Sequence, residues 1–293
     1  MNIIEISKLA KVYRRSRGIE EITLSVPQGD IFGFIGPNGA GKSTTIRILL
    51  NLIFPTSGHA TIFGLDVVKD SKQIRKRLGY IPSDANLYDR MNVMEFIRHG
   101  AAFYGAENNK ERINHLLELL DLDPGRKIAE LSMGNKKKVS IIQALVHQPE
   151  LLILDEPTTG LDPLIQSRFF ELLREENRQG TTVFFSSHTL SEVQAFCKTV
   201  AIVREGRIVN VEEIASLRKK QLKKVRILFP EERSVGELGL EGTGPVETAK
   251  GKNLAFLYSG DLNVLIAKLA TLPIDNLSIE EPPLEEIFLH YYQ

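Results

Sequence analysis

Apolar residues along the chain fall into short unbroken runs, alternating stretches and helical spacings, and each pattern predicts a different element. Ile31-Phe32-Gly33-Phe34-Ile35 is too short for a helix and reads as a buried strand. Ile46, Leu49, Leu50 and Ile53 then recur at helical spacing, and Pro55-Thr56-Ser57-Gly58 closes that helix. Earlier, Ile3-Ile4-Glu5-Ile6 and Ile22-Thr23-Leu24-Ser25-Val26 read as strands, the second ended by Pro27-Gln28-Gly29. Further strand ends fall at 61–64 and 78–82. From Asn92 to about Leu120 the apolar spacing becomes helical, through Val93, Phe96, Ile97, Ile113, Leu116 and Leu117. Two more apolar runs, 151–154 and 181–185, each lead into polar residues. A strand pair over 200–203 and 206–209 finishes the first domain. Beyond it the pattern predicts strands over 225–229, 254–258 and 274–279, with helices over 261–270 and 283–291.

The chemistry is concentrated between the first buried strand and the helix after it. Gly36-Pro37-Asn38-Gly39-Ala40-Gly41-Lys42-Ser43-Thr44 carries the spacing of a phosphate-binding loop in the strand, loop, helix setting such a loop requires. Its glycines let successive N–H groups approach an anion without a Cβ in the way. The helix opening at Gly41 aims unpaired N–H groups at the same spot. Lys42 is placed to meet the β- and γ-phosphates, and the Ser43 hydroxyl to ligate Mg²⁺. A nucleoside triphosphate site follows. Leu151-Leu152-Ile153-Leu154-Asp155-Glu156-Pro157 describes a buried parallel strand whose end emerges at a site, with Asp155 suited to a metal and Glu156 to an attacking water.

Three weaker signals have plain structural readings as well. Tyr13, before the basic Arg14-Arg15 turn, is either an ordinary half-exposed residue or a flat face for a purine. Ser132 in Leu131-Ser132-Met133-Gly134-Asn135 caps a helix whose Lys136-Lys137-Lys138 run reads as a solvated face, or it opens a second anion site. His188 ends a strand, a position that is usually structural.

Composition narrows the class. The 293 residues are 42% hydrophobic and 25% charged, as in a soluble globular protein, with room for one large core and a smaller second domain. Lys+Arg 37 balances Asp+Glu 37, so bulk electrostatics gives no reason to expect nucleic acid. No apolar stretch approaches a membrane span and the first residues show no leader pattern, so a cytosolic protein is expected. The single cysteine, Cys197, excludes an internal disulfide and reads as a buried small hydrophobe. Six basic residues in the nine from Arg218 to Arg226 read as a linker or a solvated helix face.

The order of motifs then resembles one family. Phosphate loop, helical insertion, a Leu-Ser-x-Gly pentad, an Asp-Glu strand, Gly160-Leu161-Asp162 and a strand-end histidine together look like the nucleotide-binding subunit of an ATP-binding-cassette (ABC) transporter, over roughly residues 2 to 212. The tail around Pro283-Leu284-Glu285-Glu286-Ile287-Phe288 is similar to that of single-cassette drug and antibiotic exporters. The resemblance implies an α/β phosphate-loop NTPase cassette over 1–214, with a mostly parallel sheet, antiparallel N-terminal strands and a helical subdomain at about 89–148. A small C-terminal α/β domain would occupy 215–293. It implies ATP and Mg²⁺ as ligands, a separate membrane permease and a second cassette as partners, and a place on the inner face of the membrane. By position, Tyr13 would stack on adenine and residues 36–44 would hold the phosphates. Asp155, with Ser43, would hold the metal, and Glu156 would be the base. His188 would contact the γ-phosphate, while Ser132, Gly134 and Asn135 would reach the nucleotide of the opposite subunit. Asp162 would lie at the dimer interface. Two places depart from the family pattern. Met133 and Asn135 replace a glycine and a glutamine, and Ser83, followed by Asp84, stands where a metal-sensing glutamine is usual. A soluble cassette ATPase acting on ribosomes or DNA, and a weakly hydrolysing regulatory module, are the alternatives.

Overall fold

In the computed structural model, the described residues are 1–13, 16–85, 87–219, 223–248 and 250–280. The helix expected over 283–291 and the family-like tail lie outside them. The chain divides into two compact units, Met1–Glu212 and Glu213–Gln293.

The first unit opens with a long antiparallel hairpin, β1 (Asn2–Tyr13) and β2 (Ser16–Pro27). β3 (Ile31–Ile35) is buried at every position and leads through the glycine loop into α1 (Lys42–Leu49). β4 (Ser57–Ile62), β5 (Leu65–Asp66), α2 (Ser71–Arg75) and β6 (Leu78–Ile81) follow. Three helices come next: α3 (Val93–Ala102), α4 (Lys110–Leu119) and α5 (Met133–Leu145). The continuous helical spacing from Asn92 to Leu120 is therefore two helices with a break between them. Asn92 starts α3 with a capping box to Glu95. The unit finishes with β7 (Leu151–Asp155), α6 (Pro163–Arg178), β8 (Thr182–Ser187), α7 (Leu190–Phe196), β9 (Thr199–Arg204) and β10 (Arg207–Glu213).

Two sheets result. The antiparallel one runs β2-β1-β4-β5; the other runs β10-β9-β3-β8-β7-β6, with β3, β6, β7, β8 and β9 parallel. The parallel strands are buried on both faces, which is why the sequence shows them as unbroken apolar runs. Gly33 interrupts one such run because α7 packs against it: a Cβ there would lie 2.8 Å from Val193 Cγ1. Residues of both sheets meet in one core, with Ile4, Ile6 and Ile62 beside Phe32, Phe34 and Phe184. The register pairs Ile35 with Ser187 and Asp155 with Ser186, so the ends of β3, β8 and β7 open together at one edge. That edge is where open parallel sheets place their ligands.

The second unit contains α8 (Ile214–Lys219), β11 (Lys223–Ser234), β12 (Thr243–Thr248), β13 (Lys250–Tyr258), α9 (Leu262–Leu269) and β14 (Asn276–Glu280). Its antiparallel sheet runs β12-β13-β11-β14. Val225, Ile227, Phe229, Leu254 and Phe256 form its core with Leu265 and Leu269 of α9. The basic stretch ends differently from expectation: Lys223, Lys224 and Arg226 belong to β11, and Lys224 is buried.

Candidate functional site

The glycine loop is shaped by its surroundings as much as by its own freedom. Gly41 sits at φ 105°, and a Cβ on it would lie 2.6 Å from Ile19. Gly36 passes so close to the Val203 carbonyl that a Cβ would come within 2.2 Å of its oxygen. Only glycine fits such backbone. Gly41 caps α1 with no side-chain hydrogen bond, so the first N–H groups of the helix are left to an anion. A cavity of about 360 Å³ lies over the loop, lined by Tyr13, Asn38, Gly39, Gly41, Lys42, Ser43 and Thr44 together with Gly18, Arg47 and Glu156. Pro37 and Ala40 close a turn within the loop, Ala40 N–H donating to the Pro37 carbonyl at 3.1 Å, with Pro37 exposed and Ala40 buried. Gly18 and Arg47 carried no motif; Arg47 comes in because it lies one helical turn beyond Ser43.

At the floor, charges and hydroxyls converge from three strand ends. Lys42 is buried and donates to the Gly36 carbonyl at 2.7 Å and the Pro37 carbonyl at 3.3 Å. Its Nζ stands 3.5 Å from Glu156 Oε1, while His188 Nδ1 lies 2.8 Å from Glu156 Oε2. Asp155 is buried and accepts from Ser186 Oγ at 2.9 Å and Ser43 Oγ at 3.3 Å. Glu156 adopts φ 47°, a left-handed conformation that costs a non-glycine residue about 1–3 kcal/mol and is held only where neighbours impose it. Lys42, Ser43, Asp155, Glu156 and His188 are thus brought together. Ser186 was missed because a strand serine has no signature of its own.

Other positions lie apart from this cavity. The Ser132 hydroxyl accepts from Asn135 N–H at 3.3 Å and caps α5, and Asp162 caps α6 through Ile165 N–H at 3.0 Å. Gly134 touches the Gly160 carbonyl so closely that a Cβ would stand 2.6 Å from its oxygen. Met133 is 74% exposed. Neither the pentad nor Ser83 lines the phosphate cavity.

The expected solvated lysine face is overturned, because Lys137 and Lys138 are buried. Lys136 alone reaches outward, to Asp89 at 3.2 Å. Burial pushes the Lys137 amine down to about 8, with Asp155, Asp84 and Glu156 pulling it back up.

Residues 19–159 match the family model described as ABC transporter. The bacitracin transport ATP-binding protein BcrA of Bacillus licheniformis is 39% identical over 227 residues, 75% of this chain and 73% of that one. The ABC transporter ATP-binding protein NatA of Bacillus subtilis is 33% identical over 69% of this chain and 84% of its own. A solved ATP-binding subunit of an ABC transporter superposes with a TM-score of 0.70 at 31% identity, over 74% of this chain and 92% of that one. The fold, the glycine loop and these likenesses agree, and the chain belongs to the ABC transporter family as an ATP-binding subunit.

Proposed function

We propose that this chain binds ATP in the cavity over residues 36–44, hydrolyses it with Glu156 as general base, and so powers a separate permease that exports an antibiotic or similar compound. The observation that carries this reading is the approach of Lys42, Glu156 and His188 to one another beside the glycine loop. The loop N–H groups would receive the phosphates, and Lys42 would exchange its carbonyl partners for phosphate oxygens. Tyr13, whose ring lines the cavity, would stack on the base. Glu156 would take a proton from the attacking water, and His188, already hydrogen-bonded to that carboxylate, would meet the γ-phosphate as charge develops there.

Ser43 and Asp155 fit Mg²⁺, a hard cation that takes a few protein oxygens and completes its shell with phosphate and water. Their oxygens lie 3.3 Å apart. When bound it would neutralise charge on the β- and γ-phosphates. Ser83 could contribute only from outside the cavity lining.

Ser132, Gly134 and Asn135 serve the nucleotide of a second cassette in this reading, with Asp162 at the shared interface. In this reading the permease is a separate chain and this subunit sits against it from the cytoplasm; no helix among the described residues is long and apolar enough to cross a membrane. Export of drugs or antibiotics rests on BcrA, whose name states bacitracin transport.

Phosphate release by the purified protein tests the proposal. Mg²⁺-dependent release is expected, falling by about 10²–10⁴ in Glu156→Gln while ATP affinity stays within a few-fold. No release from the parent, even with its permease reconstituted in lipid, would sink it.

A further inference from the structure

The middle lysine of the three is buried for a reason that has nothing to do with solubility. Lys137 is 2% exposed, and its Nζ donates to the carbonyl oxygens of Pro82 at 2.7 Å, Ser83 at 3.0 Å and Glu156 at 3.2 Å. An ammonium has three protons to give, and these carbonyls take all of them. All three acceptors are main-chain atoms, so the lysine fixes the path of the chain.

The acceptors belong to separate pieces of the fold. Pro82 and Ser83 follow β6, Glu156 follows β7, and Lys137 stands one turn into α5, whose start carries Ser132. Glu156 is held from both sides: its N–H donates to the Ser186 carbonyl at 3.1 Å, and its carbonyl accepts from Lys137. That double hold is what keeps a non-glycine residue at φ 47° and aims its carboxylate toward Lys42 and His188.

We propose that Lys137 is a positioning residue for hydrolysis, holding the Glu156 main chain, and through it the carboxylate, at a place set by helix α5. The inference rests on Glu156 being the general base. A shift of α5 or of the chain after β6 would then be felt at the attacking water without either element lining the cavity for this chain's own nucleotide. Lys137 lines neither the cavity nor the glycine loop and reaches the site only through the Glu156 main chain, so its loss should spare ATP binding and strike turnover.

The experiment compares the full-length parent with Lys137→Met and Lys137→Gln. Misplacement of a catalytic group by about 1 Å costs up to roughly 10²-fold in rate. Lys137→Met is expected to lower kcat by about tenfold or more, with one ATP still bound per chain and its Kd within about threefold of the parent's. Lys137→Gln, with two N–H donors left, should fall between them, about threefold down. In a Glu156→Gln background Lys137→Met should slow the residual turnover no further, because both changes act through one group. A methionine variant with the parent's kcat, or one whose Kd weakens as much as its kcat falls, overturns the proposal. So does an equal further loss in the Glu156→Gln background. If the methionine variant does not fold, the glutamine variant decides alone, and a kcat at the parent's level overturns the proposal. Parent-like turnover in Glu156→Gln itself would instead bring down the general-base reading beneath it.

Discussion

The Lys42 ammonium is held by the Gly36 and Pro37 carbonyls and faces Glu156 Oε1, all oxygens for which phosphate oxygens are ready substitutes. Removing the amine should therefore cost phosphate binding directly. Lys42→Ala is expected to weaken ATP binding by about 10- to 100-fold, the range of a charge-assisted hydrogen bond, in an equilibrium titration with labelled nucleotide. Affinity equal to the parent's would mean the loop assignment is wrong. Cys197 illustrates the opposite case, a reactive group made inert by its place. Burial pushes its thiol well above the ordinary value, with the carboxylates of Asp30 and Glu192 adding to the shift. The thiolate is the nucleophile, so raising the pKa lowers the reactive fraction at neutral pH. Alkylation of the native protein at pH 8 should be negligible and should appear fully in denaturant; rapid native labelling would contradict the burial. The glycine loop and the Asp155-Glu156 pair were legible in the sequence because one short segment carries both shape and chemistry. Lys137 and Ser186 were not, since their partners lie 54 residues away at Ser83 and 31 residues away at Asp155.

Between α4 and α6 the fold is joined by an ion pair that the helical periodicity did not disclose. Arg112 donates to Glu176, whose side chain is 2% exposed, against 14% for the arginine. Breaking a buried pair from one side strands a charge, a loss of about 3–5 kcal/mol. The exposed edge of this pair places Arg112→Met near the lower end, about 3 kcal/mol, read from the urea midpoint at unchanged slope. Arg112→Met combined with Glu176→Leu should recover most of it, because no charge is then left unpaired; an unmoved midpoint in the single variant would show the bridge to be idle. Periodicity failed elsewhere for backbone reasons. In β1, Ile4 and Ile6 are buried but the next inward residue is Leu9, because a bulge with Lys8 at φ 45° shifts the phase. Alternation broke there, so a strand of 12 residues read as four. β12 went unseen because Gly244 and Pro245 argue against a strand, and the sheet accepts it as an edge. The buried parallel strands β3, β7 and β8 were read well, being apolar throughout.

At the scale of the molecule, the order of the motifs along the first unit identified the family, while the described residues of the second unit carry a core and no recognisable chemistry. What one chain leaves incomplete is the far side of the nucleotide. The cavity is lined by the glycine loop, Tyr13, Gly18, Arg47 and Glu156, and the pentad of the same chain takes no part in it. Ser132 nevertheless starts a helix, its hydroxyl accepting a long 3.3 Å bond from Asn135 N–H, and Met133 beside it is exposed. A helix N-terminus of this kind attracts phosphate, and in the proposed function the second chain's pentad closes the first chain's site. Putting a cation of greater bulk at position 132 should block that approach while leaving the chain's own cavity untouched. In a Glu156→Gln background, where turnover cannot dissolve the complex, ATP should double the mass measured by light scattering. Adding Ser132→Arg should keep the protein monomeric at the same ATP concentration, with nucleotide binding by the monomer within a few-fold of the parent. Loss of the cap lowers stability by about 1 kcal/mol, too little to unfold a domain of this size, so retained binding and lost association can be separated. Equal dimer fractions with and without Ser132→Arg would mean that the pentad does not meet the partner's nucleotide.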